Sequence, residues 1–117
     1  MNVEQEFWVA LDRLVAGSTI HIDRPKGSAH PRYPGAFYPL DYGYLAGTTA
    51  GDGHGIDVWV GSLPEGRPNA IVCTVDLWKR DAEIKILKGC TDAEIETVLG
   101  FLNSGSMRCA VVRRKDT

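Results

Sequence analysis

The chain has 117 residues, of which 44% are hydrophobic and 24% charged, and this composition is typical of one globular domain. The formal net charge of -2 gives no basis for binding nucleic acid or an anionic membrane, so both are excluded as partners. The apolar runs are too short to span a bilayer, and the acidic N-terminus does not resemble a signal peptide. Three widely spaced cysteines without a CxxC pair are typical of a reducing compartment, so we expect a cytoplasmic protein.

The first elements in chain order are a helix and two short strands separated by a loop. Apolar residues recur at helical spacing from Phe7 to Val15, and Gly17 follows them, so the sequence predicts an amphipathic helix over residues 3–16. The segment STIHID predicts a short strand. Four prolines and two glycines in residues 25–39 predict an irregular loop, and DYGYLAG predicts the second strand.

Three further strands, a second helix and a last strand follow. IDVWVG predicts a strand, and AIVCTVDLWK and EIKILKG predict a strand pair with RDA as the bend. Thr91 and Glu94 form a capping-box pattern that opens a helix, which SGS ends, and MRCAVVRR predicts the last strand. Because the strands outnumber the helices and mostly follow one another directly, we predict an α+β fold leaning to β, with a small barrel and two packed helices.

The stretch GDGHGIDV at residues 51–58 places Asp52 and Asp57 on either side of two glycines, directly before a predicted strand. A glycine loop can fold back so that both carboxylates point to one place, where they repel unless a cation or a shared proton joins them. Mg²⁺ favours such oxygen ligands, so the stretch indicates half of a divalent-metal site. The alternative is a surface turn, in which Asp and Gly are present as turn formers.

The surrounding sequence resembles the soluble, Mg²⁺-dependent inorganic pyrophosphatase family. Members typically carry I-E-I-P-K-G-S, K-Y, Y-P-x-N-Y-G-Y and D-G-D-P-x-D-V in this order. The chain has IDRPKGS at 22–28, RY at 32–33, FYPLDYGY at 37–44 and DGHGIDV at 52–58. The resemblance implies one pyrophosphatase-like domain over residues 1–117, built on a five-stranded OB-like barrel with helices outside.

The resemblance implies a set of metal ligands. Asp52 and Asp57 match two metal-binding aspartates of the family, and Asp23 matches a glutamate at the rim of the metal site. The family also carries an acid-x-lysine on a later strand, in which the acid binds metal, and EIK at residues 83–85 is the best match. Glu83 is therefore the fourth predicted ligand, and Mg²⁺ is the implied cofactor.

The same resemblance implies groups that bind phosphate. Arg32 matches a phosphate-holding lysine, and Lys85 is the lysine of the acid-x-lysine pattern. With Lys26 of the IDRPKGS segment, these two residues are predicted to bind substrate through phosphate oxygens. Tyr42 matches an active-site tyrosine that donates a hydrogen bond, and we predict that Tyr42 and Asp57 are catalytic.

His54 stands where the family has the middle aspartate of D-G-D, a residue that helps to activate the attacking water. Because an imidazole titrates near neutral pH, His54 could be the general base, and we include it among the predicted catalytic residues. It could instead ligate metal, which would favour Mn²⁺, Co²⁺ or Zn²⁺ over Mg²⁺, or it could be a solvated turn residue. In addition, Pro34 replaces the glutamate after K-Y, and the family's arginine-bearing hairpin is missing.

The predicted function is metal-dependent hydrolysis of inorganic diphosphate to phosphate, or of a related small phosphoanhydride. One alternative is a non-catalytic relative that binds a phosphorylated ligand or a protein. An OB-type barrel for single-stranded nucleic acid is disfavoured by the net charge, and the three tryptophans are interpreted as core or interface aromatics. The segments WVALDRL and MRCAVVRR could support a homo-oligomer.

Overall fold

The computed structural model describes residues 1–64 and 66–115, which contain two helices and six strands. The elements are α1 (Val3–Ala16), β1 (Ile20–Arg24), β2 (Asp41–Leu45), β3 (Ile56–Val60), β4 (Pro68–Asp76), β5 (Asp81–Lys88), α2 (Asp92–Leu102) and β6 (Met107–Arg113). The predicted α+β class with two helices is confirmed, and α1 begins and ends at the predicted residues.

Both helices begin with a capping box, which satisfies backbone N–H groups that the first turn leaves without partners. At α1, the side chains of Asn2 and Gln5 each accept a 2.9 Å hydrogen bond from the other residue's backbone N–H. At α2, Thr91 and Glu94 make the equivalent pair at 2.8 and 3.1 Å, as the sequence predicted. Within residues 1–64 and 66–115, neither helix is long and apolar enough to cross a membrane.

The strands form one mixed sheet in the order β1-β2-β3-β5-β4-β6. Strands β3 and β5 are parallel, and the other neighbours are antiparallel. The predicted five-stranded barrel is corrected here, because the sheet has six strands and, in the part of the chain described, does not close. The reason is that β6 pairs with β4 from Asp76↔Met107 to Ala70↔Arg113, which leaves β1 and β6 as the two edges.

Each face of the sheet carries an apolar core. Helix α2 covers one face, where Trp59 and Leu87 are completely buried, and we call it the α2 face. The other face packs against α1 through a cluster of Val15, Leu45, Val58 and Ile86. Because side chains alternate along a strand, Asp57 shares the face of Trp59, and Glu83 and Lys85 share the face of Leu87. The fold therefore places three of the predicted site residues on the α2 face.

Candidate active site

Four side chains from three neighbouring strands meet at the ammonium group of Lys85. Its Nζ atom donates hydrogen bonds of 2.8 Å to the hydroxyl of Tyr42 and 2.8 Å to Oδ2 of Asp57, and it lies 3.5 Å from Oε2 of Glu83. Only 7% of the Lys85 side chain is exposed, against 27% for Asp57 and 19% for Glu83. The ammonium is therefore covered while the carboxylates reach solvent. We call these four residues the Lys85 group.

The surroundings fix the protonation states of the two donors in this group. Burial alone would lower the pKa of Lys85, but Tyr42 and Asp57 outweigh it and raise the pKa above its ordinary value. Burial raises the pKa of Tyr42, and Asp57 adds to this increase although Lys85 opposes it. At neutral pH the lysine is therefore charged and the tyrosine keeps its proton.

The GDGHGIDV loop brings a further carboxylate towards the group. Gly53 has a φ of +86°, in the left-handed region that favours glycine, and its N–H donates to the carbonyl of Ala50 at 3.0 Å. The N–H of Ala50 donates to the carbonyl of His54 at 2.7 Å, and Oδ1 of Asp52 accepts from the N–H of His54 at 2.9 Å. This closed turn holds the Asp52 carboxylate beside Glu83.

Asp52 and Glu83 form a pair of neighbouring carboxylates, each of which affects the pKa of the other. Burial raises the pKa of Glu83, and the neighbouring carboxylates of Asp52 and Asp57 raise it further against the opposing charge of Lys85. The hydrogen bond from the His54 backbone lowers the pKa of Asp52. Two neighbouring carboxylates repel each other unless a proton or a cation lies between them, so this pair is a place where positive charge is favoured.

The donor set suits a hard divalent cation. Among residues 1–64 and 66–115, no group of three or more His, Cys, Asp and Glu side chains has the spacing of a metal centre. The neighbouring side chains of Asp52 and Glu83 nevertheless supply carboxylate oxygens, with Asp57 held close by on Lys85. Carboxylate oxygens are the ligands that Mg²⁺ and similar ions prefer, so these three residues fit such an ion by their chemistry.

Two predicted site residues lie near the edge strand β1. Asp23 is exposed on β1, and its charge acts on the hydroxyl of Tyr38. Lys26 is exposed in the following loop, where its backbone N–H donates to Oδ1 of Asp41 at 2.8 Å. In the described structure neither side chain contacts the Lys85 group, so their predicted roles in binding metal and phosphate stay predictions.

Arg32 and His54 also lie outside the Lys85 group in the described part of the chain. The guanidinium of Arg32 lies 5.4 Å from the centroid of the Trp78 ring. His54 is exposed, and its backbone bond to Asp52 fixes its place on the loop. An exposed ring beside the carboxylate pair is compatible with the predicted roles as base or metal ligand, and also with the alternative of a turn residue.

Several aromatic residues near the group were not predicted as site residues. The ring of Tyr38 is stacked 5.6 Å from that of Tyr42, and on its other side lies His30, 5.8 Å away and within 1° of parallel. Trp8 and Trp59 are buried, whereas Trp78 is 71% exposed, so of the two interpretations, core or interface, only the second is left for Trp78. A sequence signal for Tyr38 existed, because it stands in the same FYPLDYGY segment as Tyr42.

The fold resembles that of inorganic pyrophosphatases. One from Neisseria gonorrhoeae matches with a TM-score of 0.60 over 80% of each chain, at 17% identity. One from Helicobacter pylori matches with a TM-score of 0.59 over 80% of this chain and 81% of its own, at 14% identity. One from Coxiella burnetii gives 0.59 over 83% and 84%, at 15% identity. The predicted resemblance is thus confirmed for the fold.

No family model matches the sequence, and no curated protein is similar to it in sequence.

Proposed function

We propose that the protein hydrolyses inorganic diphosphate, or a related small phosphoanhydride, with the help of a divalent cation. The observation that carries the proposal is the Lys85 group, in which donors for phosphate and carboxylates for a cation meet at one point. The pyrophosphatase-like fold supports the same reaction class. A lysine and a tyrosine suit the oxygens of an anionic phosphate, and the acids beside them suit a hard metal ion.

The residues of the chain take distinct roles in this reaction. Lys85 and Tyr42 donate to phosphate oxygens and orient the substrate, and Arg32 and Lys26 are proposed as further phosphate contacts. A water molecule forms a new P–O bond as the bridging P–O bond breaks, so that two phosphates leave. His54 is the proposed acceptor of the proton that this water loses.

Asp52, Asp57 and Glu83 would hold the cation, with Asp23 at the rim. When bound, the ion supplies positive charge beside the phosphate oxygens and acidifies water at the site. An all-oxygen ligand set favours Mg²⁺, whereas ligation by His54 would shift the preference to Mn²⁺, Co²⁺ or Zn²⁺. Asp57 has a second role, because it keeps the ammonium of Lys85 in place.

The test is release of phosphate from diphosphate with Mg²⁺, with Mn²⁺ and in chelator. We expect Asp57→Asn to lose at least about a hundredfold in rate, because a charge that both the cation and Lys85 need is removed. Asp92→Asn removes the same charge at the exposed start of α2 and is the control. Activity that persists in chelator would overturn the metal mechanism.

In the same assay, His54→Ala should lose about a hundredfold in the rate of phosphate release if the ring is the base.

A non-catalytic phosphate-binding role is the second candidate. Two observations favour this role. Asp57 and Glu83 are already engaged in ion pairs with Lys85, and no group of three or more His, Cys, Asp and Glu among the described residues has the spacing of a metal centre. Calorimetric binding of phosphate without turnover under any of the metals would support this role over hydrolysis.

A further inference from the structure

Basic and aromatic side chains extend from the Lys85 group to the turn between β4 and β5. We call this the basic-aromatic surface, and its members are Arg24, His30, Arg32, Trp78 and Lys79. Trp78 stands on the turn with 71% of its surface exposed, and the Arg32 guanidinium lies 5.4 Å from its ring centroid. A tryptophan ring offers a face on which a planar aromatic group can stack, and a cation beside the ring attracts an anion joined to that group.

The surface is continuous with the candidate active site through a series of contacts. The ring of Tyr38 lies between those of Tyr42 and His30, at centroid distances of 5.6 and 5.8 Å. Nδ1 of His30 accepts a hydrogen bond of 3.0 Å from the backbone N–H of Arg32, which in turn contacts Trp78. These contacts connect the Lys85 group with Trp78 through packed side chains, among which the ring of Tyr38 is buried.

Three cations of the surface make no close ion pair in the described part of the chain. Within residues 1–64 and 66–115, no acidic group lies within ion-pair distance of Arg24, Arg32 or Lys79. Burial lowers the pKa of His30, and the charges of all three cations lower it further. Three cations without a close ion pair favour the binding of an extended anion.

The turn that carries Trp78 is fixed from within the fold. Asp76 is 7% exposed, and its Oδ1 accepts hydrogen bonds from the backbone N–H groups of Trp78 and Lys79 at 3.0 and 3.1 Å. The same oxygen accepts from the hydroxyl of Ser106 at 2.8 Å. The backbone is thus held by a buried group while the indole ring faces solvent, an arrangement that suits contact with a ligand.

The length of β5 between the β4–β5 turn and Lys85 is comparable with the length of a nucleotide. Asp81 pairs with Asp76 at the start of the turn, and β5 runs four residues from Asp81 to Lys85. At the usual rise per residue this is about 13 Å. The span is comparable with an extended nucleoside di- or triphosphate, whereas inorganic diphosphate is too short to use both ends.

We propose that the substrate is a nucleoside di- or triphosphate, with its base on Trp78 and its phosphates directed along Arg24, Arg32 and Lys79 to Lys85. This inference rests on the proposed hydrolysis and names its substrate class. The water oxygen forms a bond to the terminal phosphorus and the bridging P–O bond breaks. The shortened nucleotide keeps the bridging oxygen with its electron pair, and the protons of water pass to the products and solvent.

The test is calorimetric binding to the full chain with Mg²⁺, using two probes that cannot be hydrolysed. Adenosine 5′-(α,β-methylene)diphosphate carries the ring, and methylenediphosphonate is its counterpart without the ring. We expect the nucleotide probe to bind about tenfold more tightly, since stacking of a base on an aromatic residue contributes a factor of this order. Trp78→Leu should remove the preference, and Leu77→Ala, 76% exposed on the same turn, should keep it.

Each outcome bears on one of the two proposals. Equal binding of both probes, or a preference that survives Trp78→Leu, would overturn the nucleotide inference even if diphosphate is hydrolysed. A preference that depends on Trp78, without release of phosphate from any nucleotide or from diphosphate, would overturn the hydrolase and keep the nucleotide site.

Discussion

Lys85 is a buried ammonium that remains charged because oxygen atoms from three strands surround it. Removing an ion from water is unfavourable, and the fold offsets this with the Tyr42 hydroxyl and two carboxylates. The acids depend on the lysine in return, since without its charge Asp57 and Glu83 would repel each other and Asp52. The residue that is proposed to bind phosphate therefore also holds the site together.

Lys85→Met should weaken both the fold and the binding of phosphate. We expect the free energy of unfolding to fall by about 1–3 kcal/mol, less than for a fully buried pair because both acids keep contact with solvent. Urea unfolding and phosphate titration measure the two effects. Lys88→Met, on the same strand but outside the group, is the control and should change phosphate affinity little. A Lys85→Met protein that binds phosphate like the parent would contradict the assigned role.

The residues of the candidate site differ in how far the sequence predicted them. Asp52, Asp57 and Tyr42 lie in motifs whose spacing could be compared with a family. The structure brings Asp57 and Tyr42 to Lys85 and places Asp52 beside Glu83. Arg24 and Trp78 could not be predicted, because no local pattern shows that the loop at 25–39 folds against the β4–β5 turn. Such long-range contacts depend on packing of the complete sheet, and this packing cannot be predicted from the pattern of neighbouring residues in the sequence.

Strand β2 positions Tyr42 through an unusually close contact with β1. Gly43 pairs with Ile22, and a Cβ atom at Gly43 would lie only 1.9 Å from the carbonyl oxygen of His21. The neighbouring backbone is part of the β1–β2 ladder and cannot move away like a flexible side chain. Glycine is therefore required at this position by the approach of two strands, next to the tyrosine of the candidate site.

Gly43→Ala should separate β1 from β2 and displace Tyr42. Because the clash is with backbone, we expect a loss of about 2–4 kcal/mol in the free energy of unfolding, measured by urea denaturation. Gly35→Ala is the matched control, since no atom lies within 4 Å of its added Cβ and its φ needs no glycine. Equal stability of the two variants would show that the strands can separate at little cost.

At the scale of elements, what could be predicted is what depends on local sequence. Apolar periodicity and the Gly17 stop gave α1 its observed bounds, and the Thr91–Glu94 capping box gave the start of α2. Closure of the barrel could not be predicted, because it depends on whether the two edge strands meet. The pairing of β6 with β4 depends on the packing of α2 and on the register of the whole sheet.

The two ends of the described chain are joined by an ion pair across the molecule. Arg114, directly after β6, makes two hydrogen bonds to the carboxylate of Asp12 on α1, at 2.7 and 2.9 Å. The guanidinium also lies 5.6 Å from the ring centroid of Trp8. Since α1 packs on the face opposite the candidate site, this pair fixes the helix without taking part in the proposed chemistry. Breaking this pair should therefore change the stability of the molecule and leave the proposed chemistry unchanged.

Asp12→Asn should lower the free energy of unfolding by about 1 kcal/mol at neutral pH, a small value because the Asp12 side chain is 34% exposed and solvent screens the charge. The hydrogen bond from Arg114 lowers the pKa of Asp12, so the folded state binds this proton more weakly than the unfolded state. The contribution is therefore present above the unfolded carboxyl pKa of about 3.9 and is lost as the pH falls through the lower folded value. Urea curves of parent and variant should converge between about pH 5 and pH 3.

Glu96→Gln is the control for this last prediction. It breaks the 2.8 Å ion pair between Glu96 and Arg113. The Glu96 side chain is 67% exposed and the Arg113 side chain is 44% exposed. Such an exposed pair contributes little, so the variant should stay within a few tenths of a kcal/mol, roughly, of the parent at every pH. If the gap between Asp12→Asn and the parent stayed constant down to pH 3, the stabilisation by Asp12 would come from packing and neutral hydrogen bonding, and the charge of the carboxylate would not be its source.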